Sequence, residues 1–459
     1  MDNFNKKFKI SGEKSYDIVI IGGGTAGSVA GIAAARNGSS TLIVEERSYL
    51  GGSATGAQVT PMMNTEVPGN PVCSAISKEI QENLFLDGYA AADETGLKSW
   101  FSPELLKFTL EEMYIKEKGE ILYDTRFIDT VVENNIIKGI IVHNKSGFEL
   151  IKADIFIDCT GDAEVAVSGG VSWEEGPQDK TYSPQAVSLR FMMGNIDIKK
   201  FKKYLADIGQ KEIKNSCLLH TAMVWDQDWV LEDVFKKGVE DELLKYEDGR
   251  YFQIFSVPGM NDVLSFNCPE IPDKINPLDD KDISFAYIKG RKMIKRIFNF
   301  LKEYIPGFKQ SYIMAVAPML GVRESRRIRG KYWLTETDYI NKAKFKDAIA
   351  RTAYPIDIHG VEEKGLYLDS SKKGDYMEIP FRSLLPKNIK NLLVAGRCIS
   401  SNFVVQSALR IQPTCRATGE AAGLAAVHAV NNNLKVNKIK GEIIAEKMKE
   451  NRFRSDSIE

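Results

Sequence analysis

The stretch Tyr16–Gly27, which reads YDIVIIGGGTAG, decides the fold of this 459-residue chain. It opens with a short β-branched run that ends in glycines, the pattern of a buried parallel strand. Small residues at helical spacing follow from Thr25 to Asn37, and Gly38 stands where a helix C-cap is expected. Ser40–Glu45, STLIVE, predicts a second buried strand. The sequence therefore predicts a βαβ unit within about 30 residues.

The glycines of this turn have the spacing GxGxxG at Gly22, Gly24 and Gly27. In this pattern the first glycine permits a tight turn, the second lets the backbone approach a pyrophosphate, and the third lets helix and strand pack closely. The helix N-terminus at Thr25 and Ala26 then offers unpaired N–H groups and a partial positive charge to the phosphates. These residues predict a dinucleotide-binding site.

An acidic residue ends the second strand. Glu45 lies 23 residues after Gly22, close to the ~20 expected of the acid that accepts hydrogen bonds from ribose hydroxyls. Its neighbour Glu46 is a second candidate for this role. An acid at this position, with no arginine in its place, predicts an unphosphorylated adenosine ribose, as in FAD or NAD.

The rest of the chain consists of strand-rich segments on either side of a mixed middle. Phe148–Ile151 and Ala153–Asp158 are predicted strands, and another strand at Asn391–Ala395 precedes a helix at about Thr414–Asn431. We predict an α/β protein with a Rossmann-type domain whose parallel sheet is discontinuous in sequence. Residues 1–170 and 355–459 form that domain, and residues 171–354 form an inserted α+β substrate or cap domain.

Four segments carry a resemblance to a known family. They are the βαβ unit, Leu50–Thr55 (LGGSAT), Ile157–Ala163 (IDCTGDA) and Asn391–Ala426. With them the chain resembles the FAD-dependent oxidoreductases of the glutathione-reductase-like Rossmann fold, and more narrowly a bacterial family related to thiazole-biosynthesis and fumarate-reductase-type flavoproteins. Such proteins bind FAD across the sheet, which requires glycines at several strand ends far apart in sequence. The resemblance therefore implies FAD rather than NAD.

The resemblance also implies cofactor contacts outside the βαβ unit. They fall in the other three segments, at Gly52, Ser53, Thr160, Gly161, Gly396, Arg397 and Gly423. Many flavoproteins of this fold have an aspartate that touches the ribityl chain where Arg397 stands, so this position departs from the pattern. No histidine occurs near Gly51–Gly52, so the resemblance implies non-covalent FAD.

Three residues are candidates for the chemistry beside the cofactor. His359, in the stretch PIDIHG before the C-terminal segment, is suited to act as an acid or base at the predicted domain junction. Arg323 is a candidate clamp for a substrate carboxylate, and it could equally bridge the two domains. Arg410, near the start of the final long helix, is a candidate to face the flavin. For His359 and Arg410 the alternative is a purely structural role.

These features favour an enzyme, an FAD-dependent dehydrogenase or reductase that moves a hydride between a small organic substrate and flavin N5. The motifs do not separate this reaction from that of a flavin monooxygenase or oxidase that uses O2. A non-catalytic FAD-binding protein is a further alternative. Thiazole-synthase-like metal chemistry is another, but we identify no histidine and aspartate ligand positions for it and predict no metal.

Charge and composition limit the expected partners. The 61 Lys and Arg residues nearly balance the 62 Asp and Glu residues, for a net charge of -1, which gives no electrostatic case for nucleic acid or an anionic membrane. The polar start Met1–Lys14 does not predict a secretory signal, and the six cysteines contain no CxxC pair. We expect a cytoplasmic enzyme with a small-molecule substrate, and the sequence leaves open whether it forms a homo-oligomer.

Overall fold

The computed structural model describes residues 9–456, except for 64, 66, 68–72, 94–98, 178–182, 211–216, 223–224, 226–228, 361–365 and 369–374. In chain order the strands are β1 Ile10–Ile21, β2 Thr41–Val44, β3 Ala90–Ala92, β4 Ser99–Phe101, β5 Glu120–Leu122, β6 Arg126–Glu133, β7 Ile136–Asn144, β8 Gly147–Asp158, β9 Trp173–Glu174, β10 Phe191–Gly194, β11 Leu218–Ala222, β12 Phe252–Val257, β13 Met260–Phe266, β14 Tyr312–Val316, β15 Arg327–Ile328, β16 Ala348–Thr352, β17 Ile356–Ile358, β18 Leu366–Leu368, β19 Met377–Pro380 and β20 Leu392–Val394. The helices are α1 Thr25–Arg36, α2 Ala75–Leu86, α3 Pro103–Lys116, α4 Glu164–Ser168, α5 Ile198–Asp207, α6 Glu232–Glu240, α7 Asp280–Tyr304, α8 Glu336–Ile340, α9 Phe403–Leu409, α10 Gln412–Asn431 and α11 Gly441–Asp456.

A parallel array forms the centre of the first sheet. Its spatial order is β5–β2–β1–β8–β20, and each neighbouring pair is parallel. Ile18 and Ile20 of β1 belong to one apolar cluster, and Val19 and Ile21 belong to another, because alternate residues of a strand face opposite sides. Both faces of the array are therefore buried, as parallel sheets require. Since parallel strands end at the same edge, the turns after β1, β8 and β20 lie close together.

Strand β8 is longer than the sequence predicts. Phe148–Ile151 and Ala153–Asp158, predicted as separate strands, form one continuous strand in which Lys152 pairs with Ser15 of β1. The first half of β8 also pairs antiparallel with β7, which pairs in turn with β6. No glycine, proline or other turn residue separates the two predicted pieces, which is why they join.

Helices α1 and α10 pack against each other on one face of the parallel array. A Cβ on Gly419 of α10 would lie 2.1 Å from the carbonyl oxygen of Ala26 in α1, and a Cβ on Gly423 would lie 2.5 Å from that of Ala30. Helix α10 begins at Gln412, two residues before the predicted Thr414, because a proline is tolerated in the first helical turn. Segments from the two ends of the chain thus form one layer.

A second, antiparallel sheet lies in the middle of the chain. Its strand order is β11–β12–β13–β10–β14, and helices α5, α6 and α7 contribute apolar side chains to the cluster around it. Leu334, Tyr339 and Ile349 fall within the predicted inserted domain, yet they belong to the apolar cluster of the parallel sheet. This packing favours a boundary before Leu334 rather than at residue 354, and the three-part division stays a prediction.

Among the described residues the two longest helices are α7 and α10, with 25 and 20 residues. Charged side chains recur along α7, and α10 carries Arg416 and Glu420 in its first half. Within the described ranges, no helix combines the length and the apolar character that a membrane-spanning segment needs.

Candidate active site

The glycine turn after β1 is shaped by contacts that exclude side chains. Gly22 has φ = +91°, and a Cβ there would lie 2.5 Å from the carbonyl oxygen of Cys159. A Cβ on Gly27 would lie 1.8 Å from the carbonyl oxygen of Gly22, so both positions require glycine. At Gly24 an added Cβ would meet, among the described residues, just the Cα of Gly52 at 3.7 Å. Gly24 is thus the open side of the turn, at the start of α1, where no side chain caps the helix.

A second glycine turn, Gly51–Gly52, lies against the first. Its glycines have φ = +99° and +54°, and a Cβ on Gly52 would lie 2.8 Å from the Cα of Gly24. Thr25 joins the two turns, since its Oγ1 donates a hydrogen bond to the carbonyl oxygen of Gly51 at 3.1 Å. Two bare backbone turns beside an uncapped helix N-terminus form the arrangement that binds pyrophosphate in proteins.

Glu45 is buried, and its carboxylate holds the first turn in place. Oε2 accepts a hydrogen bond from the N–H of Gly23 at 2.7 Å, and Oε1 accepts one from the N–H of Arg47 at 2.8 Å. Burial raises the pKa of Glu45 to about 7, although these two N–H groups act to lower it. A ribose role for Glu45 therefore depends on the lone pairs that its oxygens retain.

Arg397 joins the ends of β8 and β20 to a third segment. Its Nε donates to the carbonyl oxygen of Gly161 at 2.9 Å, and its Nη1 donates to that of Val322 at 2.7 Å. Its Nη2 lies 2.7 Å from Oδ1 of Asp162. The guanidinium, predicted as a cofactor contact, thus fixes the backbone at this edge of the sheet.

One cavity of about 530 Å³ brings most of the predicted site residues together. Its volume lies in the range of about 300–1,000 Å³ that is usual for small-molecule sites. The predicted cofactor residues in its wall are Gly24, Thr25, Ala26, Glu46, Gly52, Ser53, Thr160, Gly161, Gly396 and Arg397. The three predicted catalytic residues Arg323, His359 and Arg410 line the same cavity. Distant parts of the sequence therefore meet at one site.

Four predicted cofactor residues are absent from the described cavity wall: Gly22, Gly27, Glu45 and Gly423. The first three shape or hold the glycine turn. Gly423 faces Ala30 of α1, so its missing side chain serves helix packing rather than contact with a cofactor.

A row of charged side chains follows another part of the wall, where Arg323, His359, Asp357 and Arg410 line the cavity and Glu270 contacts two of them. Nη2 of Arg323 lies 2.6 Å from Oε1 of Glu270, and the same oxygen lies 2.8 Å from Nδ1 of His359. Nε2 of His359 lies 3.2 Å from Oδ1 of Asp357. Oδ2 of Asp357 lies 3.5 Å from Nη2 of Arg410. We call Arg323, Glu270, His359, Asp357 and Arg410 the charged row.

The charged row favours a protonated His359. Burial and Arg323 both lower the pKa of His359, but Glu270 and Asp357 outweigh them, and the net pKa is raised above its usual value. Burial acts to raise the pKa of Glu270, yet Arg323 and His359 lower it to about 2. Burial opposes the same shift at Asp357, where His359 and Arg410 hold the pKa below its ordinary range. Each ring nitrogen faces a carboxylate, which suits an imidazolium that donates at both.

Several polar residues of this site are not among those predicted from the sequence. Asp357 could have been found, because it precedes His359 by two residues and alternate residues of an extended segment share a face. Glu270, Arg190 and Asn267 follow no motif. They flank the strands of the antiparallel sheet, where strand pairing rather than sequence spacing brings side chains together.

Comparison with known proteins identifies the class. A model of the FAD dependent oxidoreductase family matches residues 17–448. The chain belongs to this family: it is an oxidoreductase, and its cofactor is FAD. The family resemblance, the α/β Rossmann-type fold class and the cofactor predicted from the sequence are thereby confirmed.

The individual relatives of this chain have low sequence identity to it. The tRNA uridine 5-carboxymethylaminomethyl modification enzyme MnmG of Clostridium botulinum (strain Okra / Type B1) is 23% identical over 303 residues, 60% of this chain and 47% of that protein. Digeranylgeranylglycerophospholipid reductase 3 of Methanosphaera stadtmanae is 27% identical over 207 residues, 40% of this chain and 48% of its own. Thiamine thiazole synthase of Methanococcus aeolicus is 28% identical over 160 residues, 33% of this chain and 57% of its own. The chain thus spans about half the length of the curated relatives that it matches.

The cavity wall fits FAD. Gly24 and Gly52 leave the backbone bare where a pyrophosphate would lie. Helix α10 also begins without a side-chain cap, at Ile411, which lines the cavity. The positive ends of two helices therefore adjoin the cavity, which suits the anionic pyrophosphate and the electron-rich pyrimidine edge of a flavin.

Proposed function

We propose that the protein moves a hydride between a small organic substrate and the flavin, with the substrate held between the glycine turns and the charged row. The observation that carries this proposal is that residues of both glycine turns and four of the five residues of the charged row line one cavity. Bound FAD supplies the two-electron chemistry of its ring at N5. The side chains of the cavity supply binding, orientation and proton management.

His359 is the proposed proton donor and acceptor. Its Nδ1 contact to Glu270 is short, at 2.8 Å, whereas its Nε2 contact to Asp357 is longer, at 3.2 Å. We therefore assign the exchangeable proton to Nε2. When Nε2 loses its proton, the Nδ1–H bond to Glu270 keeps the ring in the same orientation. Glu270 is a positioning residue in this scheme, because it acts through His359.

We infer that FAD is held without a covalent bond. His359 has a carboxylate at each ring nitrogen. Two thiols also line the cavity, those of Cys159 and Cys415. Burial raises the pKa of Cys415 to about 12 and that of Cys159 well above its usual value. Neither thiol is ionised near neutral pH, and the thiolate is the nucleophilic form.

The function is tested by a substrate screen without oxygen. The holoprotein is mixed with acids, alcohols, amines and sugars, and bleaching of the flavin absorbance is followed. Bleaching by one class supports the proposal. If no class bleaches the flavin, small-molecule hydride transfer is overturned and reduction by another protein takes its place. Stopped-flow reoxidation by air tests the alternative, since fast reoxidation coupled to turnover would identify an oxidase or monooxygenase.

The role of His359 is tested by His359→Gln. Loss of a general acid or base slows the chemical step by about 10²–10⁴-fold, so the rate of flavin reduction should fall by this factor and lose its dependence on pH. His428→Gln is the control, because His428 lies in the last turn of α10 and outside the described cavity wall. An unchanged rate in H359Q would refute the assignment.

Nucleic acid is not among the proposed partners. The relative named for tRNA modification matches 60% of this chain. The net charge of this chain is -1, however, and it lacks the excess of basic residues that usually accompanies binding to a nucleic-acid backbone. A filter-binding titration with total tRNA tests this prediction. Salt-sensitive tRNA binding by the holoprotein would overturn it.

A further inference from the structure

Arg190 is a buried cation in the cavity wall outside the charged row. It is 2% exposed and directly precedes β10. Its Nε donates to Oδ1 of Asn267 at 2.9 Å, and its Nη1 donates to the carbonyl oxygen of Gln58 at 2.6 Å. Both acceptors are neutral. Within the described part of the chain, no carboxylate forms an ion pair with this guanidinium.

A hydrogen-bonded frame fixes the guanidinium of Arg190. Nδ2 of Asn267 donates to Oε1 of Gln253 at 2.8 Å and to the hydroxyl of Tyr251 at 3.3 Å. The Tyr251 ring in turn contacts that of His359, with centroids 5.5 Å apart. All five residues line the cavity. Arg190 is therefore held rigidly beside the charged row.

The charges at this end of the cavity do not balance. Arg190, Arg323, Arg410 and the imidazolium of His359 carry four positive charges, and Glu270 and Asp357 carry two negative ones. A buried charge without a counter-charge is costly, so the excess favours an anion in the cavity. Burial and the nearby Arg323 lower the pKa of Arg190 to about 9, as expected for a cation that lacks a partner.

We propose that Arg190 binds a carboxylate of the substrate, which makes small organic acids the substrate class. This inference rests on the proposed hydride transfer and adds the chemistry of the substrate to it. The hydrogen bonds to Asn267 and Gln58 use Nε and one N–H of Nη1. The other N–H of Nη1 and Nη2 form the edge of the guanidinium that can bind both oxygens of a carboxylate. Once His359 has given up its proton, a single carboxylate supplies the negative charge that balances the three guanidinium groups against Glu270 and Asp357. A phosphate dianion has more acceptor atoms than the N–H groups of this edge can serve.

The first experiment uses the oxidised wild-type holoenzyme and needs no turnover. Acetate and benzoate are titrated against acetamide and benzamide, which have nearly the same shape without the charge, and the perturbation of the flavin absorbance is followed. We expect at least one acid to bind about tenfold or more tightly than its amide, which corresponds to about 1.4 kcal/mol. Equal binding of acids and amides would overturn the proposal, as would tighter binding of inorganic phosphate than of either acid.

The second experiment compares variants. Arg190→Gln should weaken carboxylate binding by about tenfold to a hundredfold, and Arg190→Lys should fall between it and the wild type, because lysine keeps the charge and loses the planar edge. Arg416→Gln is the matched control. Arg416 is likewise 2% exposed and bonded to a neutral acceptor, Oε1 of Gln412 at 3.3 Å, but it is not part of the described cavity wall.

Unchanged carboxylate affinity in R190Q would refute the inference, as would an equal loss in R416Q. Lower FAD content in R190Q with no change in acid binding would also refute it, and would assign Arg190 to the cofactor instead. The inference and the proposed function fail separately. Arg190-dependent binding of acids without flavin reduction by any small molecule overturns hydride transfer and leaves the anion site. Flavin reduction by an uncharged substrate, without binding of acids, overturns the anion site and leaves hydride transfer.

Discussion

Replacing Glu270 with glutamine removes one charge from the charged row and keeps the shape of the side chain. One oxygen of Glu270 contacts both Arg323 at 2.6 Å and His359 at 2.8 Å, and the side chain is 4% exposed. The amide fills almost the same volume and leaves two cations facing each other. Removing one partner of a buried ion pair costs about 3–5 kcal/mol, so we expect the free energy of unfolding of E270Q to fall by this amount while His359 is protonated.

The pH dependence of this cost follows from His359. Its pKa is raised in the folded protein, so the stabilisation from its ionic contact is fully present below the ordinary value of about 6.5. That stabilisation is lost as the pH rises through the raised pKa of the folded state. The cost of E270Q is therefore largest at about pH 6 and smaller at about pH 9, where the Arg323 contact remains. Glu270 itself, with a pKa of about 2, stays ionised throughout.

Urea unfolding of the holoenzyme at both pH values measures the cost, with tryptophan fluorescence and flavin release as parallel signals. Glu117→Gln is the control, because Glu117 pairs with Arg36 at 2.9 Å on the surface with its side chain 26% exposed. Such pairs contribute about 0–1 kcal/mol. A cost for E270Q below about 1 kcal/mol, or the same cost at both pH values, would refute the reasoning about the buried charges.

Two further changes test the cofactor cradle, by which we mean the two glycine turns, Gly22–Gly27 and Gly51–Gly52, together with Glu45. Gly27→Ala would place a Cβ 1.8 Å from the carbonyl oxygen of Gly22, so we expect this variant to purify without flavin absorbance. Gly12→Ala, whose added Cβ would make an ordinary contact at 3.7 Å with Cγ of Glu149, keeps its flavin. Because burial raises the pKa of Glu45 to about 7 and an ionised carboxylate accepts ribose hydroxyls better, the dissociation constant of FAD should fall as the pH rises through this value. Fluorescence titration of the apoprotein measures it, and an identical pH profile in Glu45→Gln would contradict a ribose role.

The cofactor cradle was predictable from sequence because its geometry is encoded locally. Gly22 and Gly27 are required by contacts within the turn itself and with the end of β8, and the motif spacing carries that requirement. Gly423 shows the limit of this reasoning. A small residue in a helix admits either a ligand or a second helix, and only the contact with Ala30 of α1 decides between them.

The charged row was predictable from the sequence only in part. His359 and Arg323 lie where the hydrophobic pattern of the sequence changes, so both could be predicted as candidate catalytic residues. Glu270, which joins them, lies 53 residues before Arg323, and no local pattern marks it. Its position depends on how the antiparallel sheet lies against the parallel one, and that is a property of tertiary packing.

The contact between α1 and α10 has a consequence for how the protein is made. The start of α1 leaves the ribosome roughly 390 residues before the start of α10, which at about 5–20 residues per second is a wait of roughly 20–80 s. During that interval the apolar stretch Ala26–Ala35, buried in the finished molecule, lacks the helix that covers it. Truncation before Gln412 is therefore expected to yield an aggregation-prone product rather than a smaller flavoprotein, and stable loading with FAD has to wait until α10 has been synthesised.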